Sequence, residues 1–128
     1  MMYVFMNKFS VSDRLKSIGH ALDGLKNMYY EEHNFRIHLL ILVAVILASF
    51  FFQIAVYEWL AIVLAAGLVF SLEILNTSIE TLADFVTVER NESIKKIKDL
   101  SAAGVLISAF IAVLVGLIIF LPRVIALI

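Results

Sequence analysis

The 128-residue sequence has no cysteine, a single proline and only five glycines. Without cysteine there is no disulfide, no thiolate metal site and no cysteine nucleophile. The glycines are scattered, and neither GxxxxGK[ST] nor GxGxxG occurs, which excludes both common glycine-rich phosphate loops. Internal repeats, low-complexity tracts and flexible linkers are also missing. Charge is scarce: charged residues make up 16% of the chain against 62% hydrophobic, with a mean hydropathy of +1.00. A soluble domain is about 45–50% apolar, and a chain long enough for one domain has too little interior to hide the excess. Lipid is the expected solvent. The opening MMYVFMNKFS lacks a long apolar run and a small-residue cleavage site, so it is not read as a cleaved signal peptide.

Three apolar stretches predict an all-α membrane protein within a single domain, 1–128. The first, about 35–52 around LLILVAVILASFFF, is near the lower limit for a hydrocarbon core about 30 Å thick. The short interruption QIAVYE follows, with Tyr57 and Trp59 suited to a membrane interface. The second stretch, from Trp59 to Leu72, is too short to cross and spans only by running on through EILNTSIETLAD to about residue 86. The third, 99–121, is uncharged from Ser101 to Leu121, and Pro122 and Arg123 mark its expected end. Long runs without alternation suit helices, which satisfy their own backbone in lipid.

The basic residues are asymmetric. Lys8, Arg14, Lys16, Lys26 and Arg36 precede the first span, and Arg90, Lys95, Lys96 and Lys98 lie between the second and third; only Arg123 falls elsewhere. The positive-inside rule then puts the N-terminus in the cytoplasm and the C-terminus outside. Residues 10–31 predict a further helix, with Leu15, Ile18, Leu22, Leu25 and Tyr29 on one face, Arg14, Lys16 and Lys26 opposite, and a capping-box start at Ser10 and Asp13. It can lie on the cytoplasmic leaflet or pack on the bundle by its apolar side, and the two are compatible. Residues 87–97, TVERNESIKKI, read as an extended polar connection.

The polar residues of EILNTSIETLAD are not dispersed. At about 100° per residue, Glu73, Asn76, Glu80 and Asp84 fall within roughly an 80° arc of one helix, with Glu73 deepest in the membrane. Intramembrane acids are costly and usually face a bundle interior or cavity. A single Asn or Thr there would be interhelical glue, but such bonds are modest and need no buried acids. Carboxylates near a cytoplasmic surface can hold magnesium shared with nucleotide phosphates, and a further carboxyl in an apolar setting suits a general base. Glu31 and Glu32 can approach from the neighbouring helix, and Lys98 and Asp99 supply a cation and another acid. His33 and His38 read as interface residues that hydrogen-bond, Glu89 and Glu92 as a solvated loop face, and Thr77 and Ser78 as bonding to their own helix. Two function classes fit the stripe: an enzyme handling phosphate, or a small channel or transporter subunit passing cations.

EILNTSIETLAD closely resembles the signature of the bacterial integral-membrane diacylglycerol kinase family, which includes undecaprenol kinases. RLKSIGHALDGL, EEHNFRIHL and KDLSAAGVLISA are similar to further family segments in the same order and spacing, so the likeness covers almost the whole chain after about residue 12. It implies three transmembrane helices and an amphipathic surface helix per subunit, a homotrimer with shared sites in the bacterial cytoplasmic membrane, and transfer of the ATP γ-phosphate to a lipid hydroxyl. It implies no nucleic-acid partner. By motif, Glu73 resembles the catalytic base, Asn76 a residue that positions the reacting groups, and Glu32 and Glu80 the magnesium-binding acids, which also contact ATP. Lys98 and Asp99 match nucleotide contacts. Arg14 stands one residue past the arginine of some members, which aligns with Asp13; His20 replaces a tyrosine lying toward the nucleotide, and Asp23 stands where a basic residue is common. NFRIHL and AAGVL are more similar to the undecaprenol branch than to the diacylglycerol branch.

Overall fold

The computed structural model describes residues 9–128; Lys8, counted in the charge asymmetry, lies outside them. Four helices follow one another: α1 Val11–Glu31, α2 His33–Phe51, α3 Val56–Val86 and α4 Glu92–Ile125. The chain divides after His33 into two units.

The first unit is α1. Ser10 caps it as its sequence suggests, its hydroxyl accepting from the Asp13 N–H at 3.3 Å, which satisfies one of the free donors of the first turn. Leu15, Ile18 and Leu22 are exposed along the helix. At the other end the Glu32 N–H donates to the Met28 carbonyl.

In the second unit α2, α3 and α4 are each long and apolar enough to cross a membrane, as expected of a multi-pass membrane protein. Large apolar side chains such as Leu40, Leu47, Leu64, Leu106 and Ile118 are exposed, an arrangement that lipid tolerates. The closest helix pair is α3 with α4. Ser49 and Ser108 are fully buried, and each returns its hydroxyl to its own helix, at Val45 and Val105 respectively, so neither leaves a donor unpaired in the hydrocarbon.

The α2–α3 turn is built by hydrogen bonding. Gln53 takes the left-handed region at φ 49°; its N–H donates to the Phe50 carbonyl and that of Ile54 to Ser49. This pairing closes the end of α2 as a Schellman motif, a position glycine usually fills. It also turns Ile54 inward, where it packs with Ile62 and Ile119 beneath Phe52, Trp59 and Phe120.

Two boundaries differ from expectation. α4 begins at Glu92 and not near 99, because Asn91 caps it, accepting from the N–H groups of Ser93 at 2.9 Å and Ile94 at 3.2 Å; the polar connection shrinks to 87–91. α4 also runs through Pro122 to Ile125. Pro122 has no N–H to give the Ile118 carbonyl, and Arg123 adds a side-chain bond in the same turn, donating from Nη1 to the neighbouring Ile119 carbonyl.

Arg123 does more. Its guanidinium forks onto Glu58, Nη1 to Oε1 at 2.9 Å and Nη2 to Oε2 at 2.8 Å, while Glu58 also accepts from the Ala55 N–H. The start of α3 is thereby tied to the end of α4 by a bidentate pair. Arg123→Met leaves Glu58 without its partner and lowers the midpoint of thermal unfolding in detergent, whereas Arg123→Lys, which keeps the charge without the fork, lowers it less. Equal midpoints for wild type and Arg123→Met would show that the pair adds no stability.

Candidate functional site

The α3 stripe comes out as its spacing implies. Glu73 is 2% exposed, and its Oε2 has no hydrogen-bond partner; the Oδ1 of Asn76, one turn on, is likewise buried and unpaired. Buried acceptors are nearly always satisfied, so two together on one helix face point to a missing partner. Both oxygens can accept a hydrogen bond from a hydroxyl or bind a hard cation.

Toward the C-terminal end of α3 the polarity is met from α4. The Lys98 ammonium donates to Asp84 Oδ1 at 2.9 Å, and Glu80, half-buried one turn before Asp84, adds to the negative field at the same ammonium. Asp99 turns the other way, pairing with Lys95 along α4. Ser78 bonds back to the Ile74 carbonyl, as its position on the helix suggests. Glu73, Asn76, Glu80 and Lys98 thus belong to the α3–α4 pair. Arg14, His20 and Glu32 belong to the first unit: Arg14 and His20 are exposed on α1, Arg14 with its guanidinium over the Phe9 ring, and Glu32 follows the last residue of α1.

Among the described residues, no three histidine, aspartate or glutamate side chains of one chain gather as a metal site. Magnesium does not require that; it keeps several waters and commonly takes one or two carboxylates with the rest from phosphates. Glu80 near the C-terminal end of α3 and unpaired oxygens one and two turns before it fit such a partial donor set.

Residues 19–120 match the family described as prokaryotic diacylglycerol kinase. The chain belongs to that family. Among its relatives, an undecaprenol kinase of Bacillus subtilis is 38% identical over 84% of this chain and 88% of its own length. A diacylglycerol kinase of Synechocystis is 34% identical, over 88% of this chain and 65% of its own. One from Helicobacter pylori is 37% identical over 72% of each. Nothing in these comparisons favours a channel or transporter subunit.

Sequence reasoning passed over two features of this unit. Glu58 and Arg123 read as a polar interruption and a helix stop, although one acid and one base at the same end of adjacent spans were signal enough. His38, read as an interface residue, has its ring 6.4 Å from that of Phe70, and Phe70 precedes Glu73 by one helical turn.

The Asp84–Lys98 pair fixes how α4 meets the emerging end of α3. In Asp84→Asn, amides of residues 87–95 exchange hydrogen faster while those around Ser108 and Ile119 keep their wild-type protection. Unchanged exchange across 87–95 would show that the pair does not hold this end.

Proposed function

We propose that this member of the family is a membrane lipid kinase that transfers the γ-phosphate of ATP to the hydroxyl of a lipid alcohol at the cytoplasmic interface, in lipid recycling. The observation that carries the reading is the Glu73 carboxylate, buried with an unpaired oxygen beside the unpaired Asn76 oxygen. Glu73 accepts the proton of the lipid hydroxyl. The lipid oxygen forms its bond to γ-phosphorus as the bond between γ-phosphorus and the β–γ bridging oxygen breaks, and ADP departs with the electron pair. Asn76 orients the reacting groups. Lys98 and Asp99, with Arg14 and His20, meet the nucleotide. Glu32 and Glu80 would hold magnesium, which supplies charge neutralisation at the phosphates when bound. α1 lies on the cytoplasmic leaflet with its exposed Leu15, Ile18 and Leu22 in the interface. Three subunits associate, with sites shared between neighbours. The similarity of NFRIHL and AAGVL to the undecaprenol branch, and the undecaprenol kinase among the relatives, support undecaprenol over diacylglycerol.

The orientation has a direct check, since the chain has no cysteine. A single cysteine at Asn91 should react with a membrane-impermeant maleimide only from the cytoplasmic side, and one at Gln53 only from the other; the reverse pattern would invert the topology. For the chemistry, Glu73→Gln should lose at least about 100-fold in turnover, the range expected when a general base is removed, while eluting as an oligomer of wild-type size. Retention of full lipid phosphorylation from γ-labelled ATP would sink the assignment. Offering purified wild type undecaprenol and diacylglycerol in competition decides the acceptor.

A further inference from the structure

The buried polar or charged side chains among the described residues are Ser49, Glu73 and Ser108. Ser108, on α4, has none of its surface exposed, and the register of the α3–α4 pair places it. Glu58 is bonded to Arg123 at one end and Asp84 to Lys98 at the other, so the two helices run antiparallel, and between these ties Ile62 packs in one cluster with Ile119. From Ile62 to Glu73 is eleven residues along α3, and from Ile119 back to Ser108 is eleven along α4. Eleven residues are three helical turns to within about 20°. Glu73 and Ser108 therefore repeat the Ile62–Ile119 juxtaposition on the same two faces, three turns nearer the Asp84–Lys98 pair. A buried acid and a buried hydroxyl stand at one level of one helix pair.

Their hydrogen-bonding capacities fit only one protonation state. The Ser108 hydroxyl donates its proton to the Val105 carbonyl at 2.7 Å, so what it can still offer a neighbour is an acceptor oxygen. A general base starts as the carboxylate, which is also acceptor only, and Glu73 Oε2 is unpaired. Once protonated, the same carboxyl carries an O–H that can donate to Ser108 Oγ. The two side chains are mismatched before Glu73 takes a proton and matched afterwards. An interaction made only as the base takes its proton lowers the barrier and leaves substrate binding alone.

We infer that Ser108 is a positioning residue for Glu73, its oxygen accepting a hydrogen bond from the carboxyl that forms when Glu73 takes the proton of the lipid hydroxyl. The inference rests on the lipid-kinase reading above and adds to it the residue that receives the acid once it has formed. The Glu73 O–H then donates to Ser108 Oγ, whose own proton stays on the Val105 carbonyl, and bonds in such a chain strengthen one another. No existing bond of Ser108 has to break. Ser49 is a natural control: it too returns its hydroxyl to its own helix, but on α2, whose buried residues include no acid.

The test is kinetic and thermal, on the whole protein in mixed micelles with ATP and undecaprenol or dioleoylglycerol. Ser108→Ala should lower kcat about 10-fold, the loss of one hydrogen bond at the upper end of its usual range, with the KM of ATP and of the lipid within twofold of wild type. Ser108→Cys, similar in size but a weak acceptor, should fall with it, and Ser49→Ala should keep the wild-type kcat. Glu73→Gln supplies a fixed N–H donor in place of the acid's O–H. It should raise the midpoint of thermal unfolding about 4 °C more in the wild-type background than in Ser108→Ala, a coupling that two independent residues do not show. A wild-type kcat in Ser108→Ala or in Ser108→Cys would overturn the inference. An equal fall in Ser49→Ala would overturn it too, by making the loss a general response to removing a buried hydroxyl. If the wild type phosphorylates no lipid alcohol, the lipid-kinase reading falls and the inference with it; additive thermal shifts in an active enzyme remove the inference alone.

Discussion

A carboxylate buried in an apolar bundle is the constraint around which the second unit is arranged. Glu73 is almost inaccessible and one of its oxygens has no partner, a condition that costs several kcal/mol for an uncompensated polar group in general. Nothing in the fold of α3 requires an acid there: Val69 and Ala65, on the same side one and two turns earlier, are buried and apolar, and a further apolar residue would continue the packing. The unpaired oxygen therefore has to be accounted for by what enters the site, and the same holds for Asn76 beside it.

Helix length determines how deep that site lies. With 31 residues, α3 extends about 46 Å at ~1.5 Å per residue, against a hydrocarbon core of about 30 Å. If Trp59 marks one interface, about 20 residues bring the helix to the opposite boundary near Ile79. Glu73 then lies roughly 9 Å below that boundary, Glu80 at it and Asp84 above it. One continuous helix thus carries acids from water into hydrocarbon.

Much of this is visible in the residues themselves. Apolar runs located the three spans because lipid demands self-satisfied helices, and the arc of Glu73, Asn76, Glu80 and Asp84 follows from helical periodicity alone. Local capping was harder to see. Asn91 sits in a polar segment whose composition resembles a loop, and only the side-chain bonds to Ser93 and Ile94 reveal that α4 starts there. Features that join distant residues were not legible. Glu58 and Arg123 are 65 residues apart, and an apolar groove along the bundle takes its lining from α2, α3 and α4 together, so no single stretch encodes either.

The two ends of the α3–α4 pair show how stability and chemistry are separated. At the end where α3 begins and α4 finishes the ion pair is bidentate and shielded, with Glu58 only 12% exposed and Arg123 31%, and every oxygen of the carboxylate is committed. At the other end Lys98 makes one bond to an Asp84 that is 66% exposed, an arrangement water screens and weakens. The first is a lock that leaves no valence for a ligand. The second holds the helices together while leaving the ammonium with donors to spare. A shielded fork at this end would have stabilised the bundle more and used up those donors. Weak pairing at the Lys98 end, a shielded fork at the Glu58 end, and unpaired oxygens between them are three responses of one helix pair to its surroundings.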